Sequence, residues 1–201
     1  MNEHKFIRPK LNEIPQGRLG MWILIAGEFV IFGGLIVAYL LYRFRYPEWA
    51  EMASHTNVWL GATNTFVLLT SSYFVVKAHE GAIKRDTKKI KFYITLTIIC
   101  ALIFLGVKIT EYIQKIHHGF TFSGESLVQD GKTIESTYWS FYFLMTGLHA
   151  FHVIVGAIVL FIVMMGARKG KNTHRIEVAG LYWHMVDLIW IFLFPLLYIA
   201  D

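Results

Sequence analysis

His184 and Asp187 are the residues best placed for chemistry in this chain. They lie three positions apart within Tyr182-Trp183-His184-Met185-Val186-Asp187-Leu188-Ile189-Trp190-Ile191-Phe192-Leu193, a stretch otherwise apolar enough to sit in lipid. On a helix this spacing brings the imidazole and the carboxyl onto one face. An aspartate near the bilayer centre costs about 2.5–3.5 kcal/mol on insertion scales, so it faces protein or water and takes a partner, for which His184 is the candidate. Glu28, His149 and His152 are the other polar outliers in apolar surroundings. In lipid, carboxyls and imidazoles offer proton handling or haem ligation, and each also has a plainer reading. His149 and His152 can be a satisfied hydrogen-bonding pair inside a bundle, and His184 with Asp187 a buried polar network that fixes one helix against another. Glu28 has no charged residue within four positions on its own segment, so it is protonated, faces a partner subunit, or serves in proton uptake.

The elements that must position these groups follow from composition. Of 201 residues, 55% are apolar and 16% charged, with mean hydropathy +0.48. Soluble domains carry about 25% charge. The chain therefore reads as all-α, a polytopic membrane protein. A tail at residues 1–18 precedes one membrane domain, 19–201, with spans at about 19–42, 58–76, 92–112, 138–166 and 178–200. Each approaches or exceeds the roughly 20 apolar residues that cross a bilayer. The first exceeds the 7–15-residue apolar region of a signal peptide and lacks a small-residue cleavage site, so we read it as retained. The second carries Asn64 with Thr63, Thr65, Thr70, Ser71 and Ser72, a hydroxyl-rich face suited to bonds across helices. The third ends with Lys108 and Glu111, which near a helix end can reach the interface and imply no function alone. Cys100 is the single cysteine, which excludes a disulfide framework and a cysteine metal cluster. The net charge of +5 sits in short loops, which argues for topology and against nucleic acid.

Orientation follows from the basic residues. The amino tail, second loop and fourth loop hold fourteen Lys and Arg, against four in the first and third loops. The positive-inside rule puts the amino terminus in the cytoplasm and the carboxyl terminus outside. Trp22 at the inner surface and Trp49, Trp59 and Trp139 at the outer one would form aromatic belts. Glu28 and Asp187 each lie nine residues into their spans, about 13 Å along a helix, so both sit near mid-membrane. His149 and His152 share that level, and His184 is slightly to the cytoplasmic side.

Four stretches carry a resemblance. Gly20-Met21-Trp22 through Gly27-Glu28-Phe29, Asn64 through Ser72, Thr146-Gly147-Leu148-His149-Ala150-Phe151-His152-Val153 and Tyr182 through Asp187 are similar, in order, to segments of subunit III of the haem-copper terminal oxidases, typified by cytochrome c oxidase. Phe104 to Tyr112, ending Thr110-Glu111-Tyr112, resembles a further segment of that family.

The resemblance implies an accessory subunit with no catalytic residue and no haem, copper or other metal of its own. The redox centres are expected in partner subunits: catalytic subunit I and the other oxidase subunits. It also implies a respiratory complex that reduces oxygen to water while translocating protons, in the bacterial cytoplasmic membrane, with this subunit supporting proton uptake and stability. Glu28 matches the family's intramembrane glutamate, known for reacting with carbodiimide; His149, His152, His184 and Asp187 match motif members. Relatives with seven helices enclose lipid with their first two. Five helices here resemble the short form, which leaves bound phospholipid as an open expectation. The electron donor is expected to be cytochrome c, with a quinol as the alternative. Two other classes stand beside this one on the residues alone. A haem-binding membrane cytochrome would use two of His149, His152 and His184, and a proton-coupled transporter would use Glu28 and Asp187. The first has one cross-helix histidine pair at best. The second lacks repeated halves, and only Pro195 of four prolines lies inside a span.

Overall fold

Apolar segments leave the backbone no partner in lipid but itself, so each becomes a helix, His174–Tyr198 even with Pro195 inside it. In the computed structural model, five helices of membrane-spanning length follow in order among the described residues: α1 (Gln16–Arg45), α2 (Val58–Ile83), α3 (Thr87–His117), α4 (Thr133–Ala167) and α5 (His174–Tyr198). The structure describes residues 16–47, 49, 52–53, 56–118, 133–167 and 174–199. The amino-terminal tail before Gln16, the glycine-rich connection 119–132, the basic loop 168–173 and residues 200–201 lie outside these.

All five helices are long and apolar enough to cross a membrane. They extend past the apolar windows that reveal them. The basic stretch Lys77–Lys91, read from sequence as a loop, is helical except for a turn at Lys84–Asp86. Asp86 caps α3, its carboxylate accepting from the Lys88 and Lys89 amides at 3.1 Å each. Asn57 caps α2 in the same way through Trp59 and Leu60. Such caps supply partners for first-turn amides that have none within the helix.

Helices α2, α3, α4 and α5 pack in a ring, each against the next and α5 back against α2, while α1 lies against α5 and α4. Over half of the apolar window of α5 is buried, against 17% for α1, so α5 is the inner helix and α1 the outer. Two glycines let α5 in. A Cβ on Gly61 would come within 2.7 Å of the Phe194 ring, and one on Gly156 within 2.9 Å of Trp183. Close approach through small residues is how membrane helices gain contact when lipid is as apolar as they are.

Polar contacts tie α1 to the bundle at three levels: Arg18 to Glu177 at 2.5 Å, Glu28 to His152, and Tyr39 to the Leu196 carbonyl at 3.0 Å. Nothing lies within 4 Å of a Cβ built on Gly33 or Gly34, so the small-residue pair Gly34 and Ala38 serves no close helix approach within the described residues.

The structure corrects the aromatic belts. Trp22 and Trp59 are exposed at 59% and 84%, as a belt requires, but Trp49 and Trp139 are fully buried. Trp49 packs among Tyr39, Tyr42, Tyr138 and Phe141, joining the segment after α1 to α4.

Candidate functional site: buried acid and base groups

The hydroxyl-rich face of α2 looked short of partners in sequence. Most of its hydroxyls turn to their own helix instead: Thr63 donates to the Trp59 carbonyl, Thr65 to Gly61, Thr70 to Phe66 and Ser71 to Leu68. That back-bonding leaves their oxygens free to accept from α5. Trp183 Nε1 donates to Ser71 Oγ at 2.9 Å and Trp190 Nε1 to Thr65 Oγ1 at 3.0 Å. Two indoles one helical face apart thus fix the register of α5 on α2.

Ser72 is the exception, and it changes the reading of His184. The Ser72 hydroxyl lies 2.5 Å from His184 Nδ1. His184 is therefore matched with α2, and the expected pairing with Asp187 is not formed. Asp187 is buried, 4% exposed, and neither carboxyl oxygen has a hydrogen-bond partner in the chain. Three-residue spacing put both residues on one side of α5, but the serine across the seam reaches the imidazole first.

Glu28 has the partner its own helix lacks. Its Oε2 is 3.2 Å from His152 Nε2, and His152 Nδ1 is 3.0 Å from the Tyr182 hydroxyl. Three helices, α1, α4 and α5, each contribute one group. When the phenol donates to Nδ1, the imidazole carries its proton on Nε2, close to the carboxylate but not aligned on it as a hydrogen bond. The arrangement can hold one proton between an acid and a base in a largely water-excluded setting: the Glu28 and His152 side chains are 16% and 10% exposed. Phe32 packs edge-on against the His152 ring.

His149, one turn from His152, does something different. It is fully buried, with Phe104 edge-on and Trp190 tilted against it at centroid distances of 5.5 and 5.0 Å, and neither ring nitrogen has a partner in the chain. The four motif residues thus occupy three separate surroundings and not one network. Among the described residues no three His, Cys, Asp or Glu side chains gather as a metal site.

Sequence reasoning set Lys108 and Glu111 at the interface. Both are buried, 2% and 1% exposed, inside the bundle. Lys108 Nζ donates to Glu111 Oε2 at 3.0 Å, Tyr198 Oη at 2.7 Å and Tyr142 Oη at 3.2 Å. Tyr198 donates in turn to Glu111 Oε2 at 2.8 Å. The rings of Tyr142, Trp190, Tyr198 and Tyr112 present themselves within 5.4 Å of the ammonium. All three ammonium protons are met and aromatic faces replace much of the lost hydration, which is how a charge persists in a dry interior. The sequence signal was present in the three-residue spacing, but the tyrosines that complete the cluster come from α4 and α5.

Five membrane-length helices with an inward layer of acid–base side chains define a polytopic integral membrane protein. The sequence pattern of cytochrome c oxidase subunit III matches residues 11–201. The cytochrome c oxidase subunit 3 of Thermostichus vulcanus is 29% identical over 187 residues, 90% of this chain and 86% of that protein. That of Bacillus sp. (strain PS3) is 29% identical over 201 residues, covering 95% and 90%. The probable quinol oxidase subunit 3 of Staphylococcus aureus (strain USA300) is 30% identical over 197 residues, covering 96% and 92%. The chain belongs to the cytochrome c oxidase subunit III family, and it is a subunit of the haem-copper oxidase type. That membership takes the place of the cytochrome and transporter readings.

Proposed function

We propose that this chain is the non-redox accessory subunit of a respiratory haem-copper oxidase that takes electrons from cytochrome c. It packs against the catalytic subunit, and it supports proton uptake and the stability of the complex while oxygen is reduced to water. Haem and copper belong to the partner subunits. The observation that carries the reading is the Glu28–His152–Tyr182 arrangement, an acid–base set on the outer helix α1 and not in the centre of the ring. A proton-holding group at the margin of a bundle suits service to a neighbour. The apolar face of α1, with Val30, Val37 and Leu41 more than half exposed, offers the neighbour a surface. A groove of about 240 Å³ between α1 and α5, walled by Phe29, Phe32, Gly33, Ile36, Ile189 and Phe192, suits a phospholipid acyl chain. The basic surface, where α2 ends and α5 begins, faces the cytoplasm of a bacterial inner membrane.

A quinol as donor is the second reading, favoured by the likeness to probable quinol oxidase subunits 3 of Staphylococcus species. Gentle-detergent purification through a tag on this chain tests both. Co-purification of a larger haem-containing subunit that consumes oxygen with reduced cytochrome c is the expected result. Consumption with a quinol alone would move the assignment to the second reading. A chain that runs free of any haem-containing partner would overturn the accessory role.

A further inference from the structure

The α2–α5 seam carries a feature that the subunit role does not use. A cavity of about 180 Å³ opens there, lined by Val75, Val76, His79 and Glu177 among others, with His184 at its inner wall. It lies towards the membrane surface at which α2 ends and α5 begins. The two helices close together at one point, where a Cβ on Gly180 would sit 3.1 Å from Val75 Cγ1. Beyond His184 comes Ser72, hydrogen-bonded to it. Ser72 also lies beside the Asp187 carboxyl, within hydrogen-bond reach but out of line with either oxygen.

Two independent facts lie along this seam. One is a void, mostly apolar, that ends inward on the His184 imidazole. The other is a carboxyl, more than nine-tenths buried, whose two oxygens have no protein partner. Buried polar atoms left over by the protein are where internal water binds, given room for it and two to four polar groups to hold it. His79, Glu177, His184, Ser72 and Asp187 supply such groups in sequence from the surface inward.

We propose that the α2–α5 seam is a hydrated inlet, a binding site for water that runs from this one membrane surface past His184 and Ser72 to Asp187. It gives a carboxyl at mid-membrane aqueous contact with one side only. The water does for Asp187 what His184, taken up by Ser72, does not.

The test is thiol accessibility in the intact complex, held in sealed vesicles of both orientations, with Cys100→Ser as background and the labelling read as a mass shift of this chain. Val76→Cys and Leu181→Cys report on the mouth, and Ser72→Cys, nearly isosteric, on the inner end. Phe92→Cys is the control. It is 61% exposed on α3 and, from the contact of Gly81 with Ile90, near the depth of His79. The probe is a charged, membrane-impermeant methanethiosulfonate. Because only the thiolate reacts, and it forms in water and not in lipid, the three seam thiols should label at least about tenfold faster than Phe92→Cys, and from one surface. Rates equal to the control would overturn the inlet, as would equal labelling from both surfaces. Fast labelling at the mouth with Ser72→Cys at the control rate would reduce it to a surface dent. Hydroxyl-radical footprinting of the unmodified complex gives a second measurement that needs no variant. His184 should be oxidised and the fully buried His149 spared, and an unmodified His184 would equally overturn the proposal.

Discussion

Tyr198, the last residue of α5, places its hydroxyl 2.7 Å from Lys108 Nζ in the middle of α3 and so closes the ring of four helices around a buried ion pair. The phenol donates to Glu111 and accepts from Lys108, doing for each charge what water would do outside.

Removing one charge from this cluster strands the other. Lys108→Met leaves Glu111 buried without its cation and should destabilise the subunit by about 3–5 kcal/mol. The double change Lys108→Met with Glu111→Leu should be milder than Lys108→Met alone. Thermal inactivation of the purified complex checks the ordering. A double variant weaker than both singles would contradict it.

Glu28→Gln should leave assembly largely intact, because the amide keeps the shape and can still face His152 across 3.2 Å. Glu28→Leu removes the mid-level tie of α1, and recovery of the complex after detergent washing should fall. Equal recovery of the two variants would mean that apolar contact alone holds α1.

The seam makes a prediction about pairs. In a double-mutant cycle, Ser72→Ala and His184→Phe should be coupled, by about 0.5–1.5 kcal/mol, since each change removes the other's hydrogen-bond partner at a half-buried position. Coupling of His184→Phe with Asp187→Asn should be the smaller of the two. The measurement is resistance to thermal unfolding in each corner of the cycle, and a larger His184–Asp187 term would restore the pairing that the spacing alone implied.

Gly156→Leu should be among the most disruptive apolar changes, for a Cβ there already meets Trp183 Cε3 at 2.9 Å. Overpacking of this kind typically costs about 1–3 kcal/mol. Trp183→Phe gives up the bond to Ser71 and also leaves unfilled the space of the larger ring at a fully buried site, so it should cost about 1–3 kcal/mol. Yield and thermal stability of the two variants compare crowding at this contact with its loss.

The helices were legible because lipid enforces a simple code: long apolar runs, basic residues between them, and few alternatives for the backbone. Rotation about each helix axis was not legible. Trp49 and Trp139 have the composition and position of belt residues, and only packing against Tyr39 and Tyr138 turns them inward. Lys108 and Glu111 were misplaced for the same reason, since their partners come from two other helices. His184 shows a subtler limit. Spacing says which residues share a face, but the neighbour across the helix seam decides which of them bonds.

The polar ties of α1 also set a timetable. Arg18 meets a residue 159 positions later in the chain, and the partners of Glu28 and Tyr39 lie well over a hundred residues downstream. At ribosomal speeds of about 5–20 residues per second, α1 waits on the order of ten seconds in the membrane before α4 and α5 exist to receive it. During that interval its glutamate has only lipid, water or the insertion machinery for company. The helix α1 is thus made well before its partners, and in a chain stalled before α4 its glutamate has no His152 to meet.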